Sequence, residues 1–369
     1  MKPSPSSFRP ARRALAVLLP LATLTTGAYA NCGASAPNRL NGLFYGPAAG
    51  NAYVTVLAHR GLWGQYNPDN HSVAENSRSA VVAAADHCMD AMELDVKMTQ
   101  DGVPVLMHDY NLGRTTNIWT RVSGGRKYSP ENGTGTNDTV SSHTAQFVEE
   151  LRLLTPNRST TTGDFVPTVA AAITAARSHP NDAPIVFDVK TADAARAVSR
   201  VANQLAQKPT DTMAMKVNAT LYKSQAAFHA DVPNMRGIPV FVTNNLSQIN
   251  VAQVRDAWAS SSNQVAIEAN VKSINGLLQG ELLNWAKGRK SPVGTFNAIP
   301  DYPGGGGRFY DNDGHCCYTL ASKYVTYNGR KETADNRGDW NYLNSQGFTF
   351  VTSDNSVALT DWYHARGKH

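Results

Sequence analysis

The chain has 369 residues, and its shares of 41% hydrophobic and 17% charged residues are those of an ordinary globular protein with a large core. Its formal net charge is +5 at pH 7, but residues 1–30 hold four basic and no acidic residues, which leaves +1 for residues 31–369. This nearly neutral balance gives no support for nucleic-acid binding, so no nucleic-acid partner is expected.

The first thirty residues have the organisation of a secretory signal peptide. Basic residues come first, an apolar run follows over about residues 14–25, and Ala28-Tyr29-Ala30 places small residues where a signal peptidase reads them. The apolar run is too short to span a bilayer, and no later segment approaches the roughly 20 apolar residues of a spanning helix. We expect residues 1–30 to be removed and residues 31–369 to be secreted or periplasmic. An N-terminal membrane anchor is the alternative.

Short apolar segments alternate with helical patterns along the rest of the chain. Eight segments have the pattern of strands: Val54–Ala58, Ala91–Val96, Ile185–Val189, Thr212–Val217, Ile238–Val242, Val265–Ala269, Val293–Ala298 and Phe348–Thr352. Six spacers have the pattern of helices: Ala74–Asp86, Val166–Ser178, Ala192–Gln207, Ser247–Ser260, Ile274–Lys287 and Trp340–Gln346. This alternation indicates parallel β-structure covered by helices. Eight repeats predict an α/β fold of the closed (β/α)₈ TIM-barrel type, with an open doubly wound sheet as the alternative.

Two irregular features interrupt the alternation. A turn at Gln100–Gly102 and the extended segment Gly102–His108 predict a small β-hairpin after the second strand. Long loops over about residues 117–143 and 299–339 follow strands, so we expect them on the catalytic face of the barrel. No linker interrupts the chain, and residues 31–369 are expected to form a single domain and to act as a monomer.

Four cysteines remain after the predicted cleavage: Cys32, Cys88, Cys316 and Cys317. An even number in an exported protein favours disulfides, with three possible connectivities. Because a bond between neighbouring cysteines is strained, we expect Cys32 to pair with Cys316 or Cys317. Four free thiols are the alternative.

Carboxylates stand at the ends of two neighbouring predicted strands. Glu93 and Asp95 lie two residues apart on the second strand, so both project from the same face. Asp188, on the third strand, is placed to give a third oxygen ligand. Oxygen ligands of this kind suit a hard divalent cation, Ca²⁺ or Mg²⁺, better than zinc. A solvated acidic face or a salt-bridged pair is the alternative.

Two histidines and two basic residues accompany these carboxylates. His59 and His108 follow the first strand and the hairpin, and two imidazoles can serve as the base and the acid that cleavage of a phosphodiester requires. Arg60 has a planar guanidinium that suits phosphate oxygens, and Lys190 shares a face with Asp188. Structural histidines, a surface arginine and a buried ion pair are the alternatives.

Together the motifs resemble one known family. They are His59-Arg60-Gly61, Glu75-Asn76-Ser77, Glu93-Leu94-Asp95, Asp101 to Val105 before His108-Asp109, Leu112 to Thr116 and, near the end, Thr352-Ser353-Asp354. This combination is similar to the glycerophosphodiester phosphodiesterases, with high specificity over about residues 57–117. The resemblance implies a TIM barrel, a bound Ca²⁺ or Mg²⁺, and hydrolysis to glycerol 3-phosphate and an alcohol. The roles it implies are acid/base catalysis for His59 and His108, metal binding for Glu93, Asp95 and Asp188, and substrate or phosphate binding for Arg60, Lys190 and Glu75.

Several positions depart from the family pattern. A long link at Leu62–Val73 separates His-Arg-Gly from Glu-Asn-Ser, Ala74 replaces a proline, and Asp188 replaces the more common glutamate. The loop over residues 117–143 is enlarged. These departures affect the substrate pocket more than the metal site. Nearby aromatic residues, Trp63 and Tyr302 among them, are candidates for an apolar or sugar-binding pocket, although barrel aromatics more often serve packing.

Two other functions remain as alternatives. The segment Ile185–Thr191 is similar to a strand of the sphingomyelinase D/phospholipase D toxins, whose substrate is a choline-bearing lipid. A glycoside hydrolase would use paired carboxylates such as Glu93 and Glu268, but it leaves both histidines unexplained. The expected partner is a small-molecule or lipid-headgroup phosphodiester.

Overall fold

The computed structural model describes residues 32–46, 50, 52–259 and 265–369. The β-strands are Thr55–His59 (β1), Ala91–Met98 (β2), Pro104–Leu106 (β3), Arg152–Leu154 (β4), Thr161–Phe165 (β5), Ile185–Val189 (β6), Met213–Asn218 (β7), Arg236–Phe241 (β8), Ile267–Ala269 (β9), Val293–Phe296 (β10), Arg308–Tyr310 (β11), Cys316–Thr319 (β12), Thr326–Tyr327 (β13), Arg330–Lys331 (β14) and Phe350–Ser353 (β15). The α-helices are Ala36–Tyr45 (α1), Arg78–Asp86 (α2), Ala145–Glu149 (α3), Val169–Ser178 (α4), Ala192–Leu205 (α5), Pro209–Thr212 (α6), Gln225–Asp231 (α7), Val251–Ala259 (α8), Trp285–Gly288 (α9), Trp340–Gln346 (α10) and Ser356–His364 (α11). A π-helical turn, Gln279–Asn284, leads into α9.

Eight parallel strands close into a barrel. Their order is β1, β15, β10, β9, β8, β7, β6, β2, and β2 pairs with β1 to complete the ring. Each of the eight coincides with one predicted strand, so the (β/α)₈ prediction is confirmed. Their side chains are buried almost throughout, as expected for parallel strands covered on both faces.

The covering helices begin at capping residues that the sequence supplies. Hydroxyls of Ser77, Thr168 and Thr191 accept hydrogen bonds from the third backbone N–H beyond them, at the starts of α2, α4 and α5. Each of these helices buries an alanine- and valine-rich face against the strands. Small side chains allow the helices to pack closely on the barrel.

The predicted hairpin is present as β2 and β3. Strand β3 pairs antiparallel with the end of β2, with Val96 opposite Leu106. The turn uses Gly102 at a φ of 78°, in the left-handed region that favours glycine. The hairpin returns the chain to the barrel mouth, where the N–H of Met107 donates to the carbonyl of Asp95. It therefore delivers His108 beside the carboxyl end of β2.

The opposite end of the barrel is closed by α1. Leu40, Leu43 and Phe44 of α1 form one buried cluster with inward side chains of the strands, among them Leu57 and Phe350. This helix was not predicted from the sequence. It explains how the lower end of the barrel is kept from water.

The predicted disulfide between Cys32 and the Cys316/Cys317 pair is wrong. Cys32 is bonded to Cys88, and Cys316 is bonded to Cys317. Cys32 precedes α1 at the lower end of the barrel and Cys88 follows α2 there, whereas β12 lies in a loop on the opposite face. The height of the barrel therefore separates the residues that we expected to pair.

Both predicted long loops lie where expected, after β3 and after β10. Residues 117–143 contain only short 3₁₀ turns, and residues 299–339 form two small hairpins, β11–β12 and β13–β14. No helix among the described residues is long and apolar enough to cross a membrane. The predicted signal peptide, residues 1–30, lies outside the described residues.

Candidate active site

The site begins where β1 ends. His59 is the last residue of β1, and the next two residues, Arg60 and Gly61, have φ values of 58° and 78°. A Cβ on Gly61 would lie 2.8 Å from the Cβ of Ala80 in α2, so only glycine allows this turn to pack on the helix. The His-Arg-Gly sequence thus makes a left-handed turn that holds the side chains of His59 and Arg60 at the barrel mouth.

A cavity of about 220 Å³ opens at this mouth, and we call it the catalytic cavity. It brings together seven of the eight predicted site residues: His59, Arg60, Glu93, Asp95, His108, Asp188 and Lys190. The eighth, Glu75, does not line it. The sequence prediction therefore located the cavity, and the contacts of each residue decide what that residue can do.

Glu93 and Asp95 point into the cavity from β2 and are almost fully buried. One ligand atom from each, together with one imidazole nitrogen of His59, lie within 4.8 Å of one another. Burial and the nearby negative charge of Asp95 raise the pKa of Glu93 to about 7. Asp95 stays ionised, because the positive charges of His108 and Lys97 outweigh the effect of burial and lower its pKa.

Asn76 fixes the orientation of the Asp95 side chain. The Asn76 side chain donates from Nδ2 to Oδ2 of Asp95 over 3.1 Å, and it accepts the backbone N–H of Asp95 at 3.0 Å. Asn76 itself has a φ of 53°, a left-handed conformation that asparagine tolerates better than most residues. This contact gives Asn76, in the Glu-Asn-Ser motif, a positioning role that the sequence did not reveal.

The imidazole of His59 is held by the carboxylate of Asp354, which directly follows β15. Its Nδ1 lies 2.8 Å from Oδ1 of Asp354, and the indole N–H of Trp63 donates to the same oxygen over 3.1 Å. Phe296 packs edge-on against the imidazole at 4.7 Å between ring centroids. Burial lowers the pKa of His59, but the charge and hydrogen bond of Asp354 outweigh burial, and the pKa is raised. The imidazole therefore presents Nε2 to the cavity.

His108 is held in a similar manner. Its Nδ1 lies 2.7 Å from Oδ1 of the fully buried Asp109. Arg114 fixes Asp109 in turn, with Nε and Nη2 donating over 2.6 and 2.9 Å. Arg114 and the hydrogen bond from His108 keep the pKa of Asp109 low in spite of burial. The second imidazole, like the first, is oriented by a carboxylate.

Arg60 and Glu75 form a buried ion pair. Nη1 of Arg60 donates to Oε2 of Glu75 over 2.8 Å, and Arg114 donates to Oε1 of Glu75 over 2.7 Å. In spite of burial, the two guanidinium groups lower the pKa of Glu75 to about 2. Glu75 therefore keeps the Arg60 guanidinium at the cavity wall, and its role in binding the substrate remains a prediction.

Asp188 and Lys190 lie on the neighbouring strand β6 and pair with each other. Nζ of Lys190 is 2.7 and 2.6 Å from the two carboxylate oxygens of Asp188. Asp188 lies opposite Asp95 in the strand register, but it does not belong to the three-residue group of Glu93, Asp95 and His59. Its role as third metal ligand, and the phosphate-binding role of Lys190, remain predictions.

A buried lysine on the far wall of the cavity was missed by the sequence reasoning. Nζ of Lys216, on β7, is 2.5 Å from Oε2 of Glu268 and 2.6 Å from Oγ1 of Thr352. Because Glu268 is engaged in this ion pair, the glycoside hydrolase alternative, which needs Glu268 as a catalytic partner of Glu93, is not favoured. Only an isolated lysine in an apolar strand marked this position in the sequence.

The donor set fits a hard divalent cation. Two carboxylates lie close enough to repel each other, and this repulsion is what raises the pKa of Glu93 beyond the effect of burial alone. A cation between them removes that repulsion and satisfies oxygen donors of the type that Ca²⁺ and Mg²⁺ prefer. His59 completes the group that the structure brings together.

Comparison with known proteins agrees with this arrangement. Residues 59–231 match the Glycerophosphoryl diester phosphodiesterase family. The chain is 43% identical over 63 residues to Glycerophosphodiester phosphodiesterase 1 of Rattus norvegicus, and 30% identical over 142 residues to the protein of that name of Bos taurus. The matched segments cover 17% and 37% of this chain, and they span only 17% and 34% of the rat and bovine relatives.

Solved structures share the fold over most of the chain. A glycerophosphoryl diester phosphodiesterase from Parabacteroides distasonis aligns with a TM-score of 0.56 at 17% identity, covering 90% of this chain and 93% of that one. A glycerophosphodiester phosphodiesterase from the same species aligns with a TM-score of 0.50 at 16% identity, covering 86% and 99%. At identities this low, the structural similarity establishes the barrel fold alone, and the chemistry must be inferred from the residues of the site. Over residues 59–231 the chain is similar to the Glycerophosphoryl diester phosphodiesterase family, and its barrel is similar to the solved structures of that name.

Proposed function

We propose that this protein is a metal-dependent glycerophosphodiester phosphodiesterase, which releases glycerol 3-phosphate and an alcohol. One observation carries the proposal: two imidazoles, each held by a carboxylate, line the same cavity as the Glu93 and Asp95 pair. The family match over residues 59–231 supports the same reaction class. The choline-lipid alternative gains no support from the comparisons or from the site.

The imidazoles supply the two proton transfers. With Nδ1 of each histidine bound to a carboxylate, Nε2 remains for the substrate. One imidazole takes the proton of the attacking hydroxyl as its oxygen bonds to phosphorus, and the other protonates the departing alcohol oxygen as its bond to phosphorus breaks. If the attacking hydroxyl is the neighbouring one on the glycerol, the product is a cyclic phosphate, which water opens with the two proton roles exchanged.

The remaining residues of the cavity stabilise negative charge on the phosphate group. We propose that Glu93 and Asp95 hold one Ca²⁺ or Mg²⁺, with Asp188 as the third ligand, so that Nε2 of His59 stays available for proton transfer. A bound cation would neutralise the negative charge that develops on the phosphate oxygens. Arg60, fixed by Glu75, and Lys190 place further positive charge on the cavity wall, where it stabilises the same oxygens.

Substitution of the two histidines tests this assignment. His59→Ala and His108→Ala should each lose at least roughly 100-fold in kcat, the scale of removing a general acid or base. His229→Ala is the matched control, because His229 is exposed on α7, outside the barrel. Turnover close to wild type in either active-site variant would remove that histidine from the mechanism.

We further propose that residues 31–369 act outside the cytoplasm as one domain and as a monomer. The Cys32–Cys88 disulfide supports an oxidising compartment, where such bonds persist. N-terminal sequencing of the exported protein should begin at Asn31. A cytoplasmic product that retains residues 1–30 would contradict export.

A further inference from the structure

A second cavity of about 630 Å³ adjoins the catalytic cavity, and we call it the aromatic chamber. Its walls come from residues 63–75, 155–160 and 300–310, with Arg114 and Asp354. The aromatic and polar side chains that line it include Trp63, Tyr66, Tyr302, Tyr310, Thr155 and Asn157. The first wall segment lies mostly in the long link Leu62–Val73, which departs from the family pattern, and the third lies in the long loop over residues 299–339.

The aromatic chamber shares part of its wall with the catalytic cavity. Asp301, Tyr310 and Asp354 line both cavities, and Asp354 is the residue that orients His59. At about 220 Å³ the catalytic cavity is smaller than the roughly 300–1,000 Å³ typical of small-molecule sites, whereas the chamber lies within that range. A substrate whose phosphate occupies the catalytic cavity must therefore place a bulky group elsewhere, and the chamber is next to it.

A cationic alcohol does not suit the aromatic walls. Guanidinium groups already lie over three of the rings: Arg60 is 5.8 Å from the centroid of Trp63, Arg114 is 4.9 Å from that of Tyr310, and Arg308 is 4.5 Å from that of Tyr302. A quaternary ammonium brought to these rings would meet positive charge instead of a free π-face. Choline is thus disfavoured at these three rings, which leaves Tyr66 as the ring to be compared for a choline and for a ring alcohol.

An acyl chain does not suit the chamber either. Among the described residues that line it there is no Leu, Ile, Val or Met. The apolar surface comes from aromatic rings and prolines, and hydroxyl and amide groups of residues 155–160 stand between them. Walls of this kind offer flat faces for the C–H groups of a ring, with hydrogen-bond partners around its edge.

Acceptors for hydroxyl groups are also present. Oδ1 of Asp301 accepts the backbone N–H of Tyr310 over 2.9 Å, while Oδ2 lies 3.6 Å from Nη2 of Arg60, beyond hydrogen-bond length. A hydroxyl donor can therefore reach Oδ2. Tyr66 presents a ring over which, among the described residues, no Lys or Arg cation lies.

We propose that the aromatic chamber binds the leaving alcohol of the substrate, and that this alcohol is a neutral polyhydroxylated ring, a cyclitol or a hexose. The inference rests on the proposed phosphodiesterase function and adds the substrate class to it. Tyr66 stacks on the ring, and Asp301 accepts one of its hydroxyls. Tyr66 and Asp301 then determine specificity.

The test compares kcat and KM for three substrates: glycerophosphoinositol, glycerophosphocholine and glycerophosphoethanolamine. The wild-type protein should have a KM at least about tenfold lower for the inositol ester, equivalent to one stacking contact and one hydrogen bond. Tyr66→Ala should remove most of that advantage by raising KM for the inositol ester, while KM for the choline ester changes less than about threefold. Tyr45→Ala, on α1 at the other end of the barrel, should change neither.

A second variant guards against loss of folding. Gln65 is exposed on the chamber wall, so Gln65→Ala leaves the core intact, and it should raise KM for the inositol ester selectively and to a smaller degree. Equal KM values for the three substrates, or a preference for the choline ester, would overturn the inference while leaving the phosphodiesterase function in place. Failure to cleave any of the three would overturn the proposed function, and the inference with it.

Discussion

Replacing Glu93 by glutamine should stabilise the metal-free protein while it abolishes activity. The amide keeps the size of the carboxyl and can still accept the backbone N–H of Arg60, which now donates over 3.2 Å. It removes one of two buried negative charges that repel each other. Functional sites often hold such arrangements at a cost in stability.

The magnitude follows from the pKa of Glu93, which rises from its ordinary 4.5 to about 7. At about 1.4 kcal/mol for each pKa unit, ionising this carboxyl in the fold costs roughly 3 kcal/mol. Because the folded pKa is the higher one, the stabilising protonated form is fully present in acid, and this stability is lost as the pH rises through about 7. Glu93→Gln should therefore gain about 3 kcal/mol at pH 8 and less than about 1 kcal/mol at pH 5.

The assay is urea unfolding in EDTA at both pH values, followed by tryptophan fluorescence. Glu268→Gln is the matched control, since Glu268 is an equally buried glutamate at the same barrel mouth. It neutralises Lys216 at 2.5 Å, so its loss should destabilise by roughly 3–5 kcal/mol. If both variants lose stability to a similar extent at pH 8, the repulsion between Glu93 and Asp95 is refuted.

Three further outcomes are expected. Asp354 raises the pKa of His59, so Asp354→Asn should lower that pKa and move the limb of the kcat/KM profile that is due to His59 to lower pH. Activity should fall roughly 10- to 100-fold, and an unchanged pH profile would contradict this. Chelation should abolish activity, and adding Ca²⁺ or Mg²⁺ should raise Tm more at pH 8 than at pH 5, whereas full activity in EDTA would exclude a metal role. Cys32→Ser with Cys88→Ser should cost about 4 kcal/mol in urea unfolding, since the bond closes a loop of 56 residues, and an unchanged midpoint would show that α1 holds its place without it.

The barrel was predictable because each strand stands out in the sequence. An apolar run bounded by glycine or polar residues fixes a buried parallel strand with little help from tertiary contacts, so all eight were found. The helices that were missed are α1, α3, α6, α7 and α11; α1 closes one end of the barrel, and α3, α6 and α7 have at most seven residues. Their apolar positions acquire meaning only when the strands they cover are known.

The residues of the candidate site were predictable from the sequence, whereas the contacts between them were less so. His59, Glu93 and His108 lie at strand ends in a recognisable motif, and the structure brings them to one cavity. The contact between His59 and Asp354, by contrast, joins residues 295 positions apart, and no local pattern announces it. The disulfide error has the same origin, because the pairing of Cys32 depends on which end of the barrel each cysteine occupies.

Phosphorus NMR of the products tests the central claim most directly. With Ca²⁺ or Mg²⁺ present, the protein should convert glycerophosphoinositol or glycerophosphocholine to glycerol 3-phosphate, with a transient cyclic phosphate if the glycerol hydroxyl attacks first. The His108→Ala protein should leave the substrate signal unchanged over the same time. A phosphate signal on the other alcohol, without glycerol 3-phosphate, would mean that the opposite ester bond is cut, and it would contradict the proposed function.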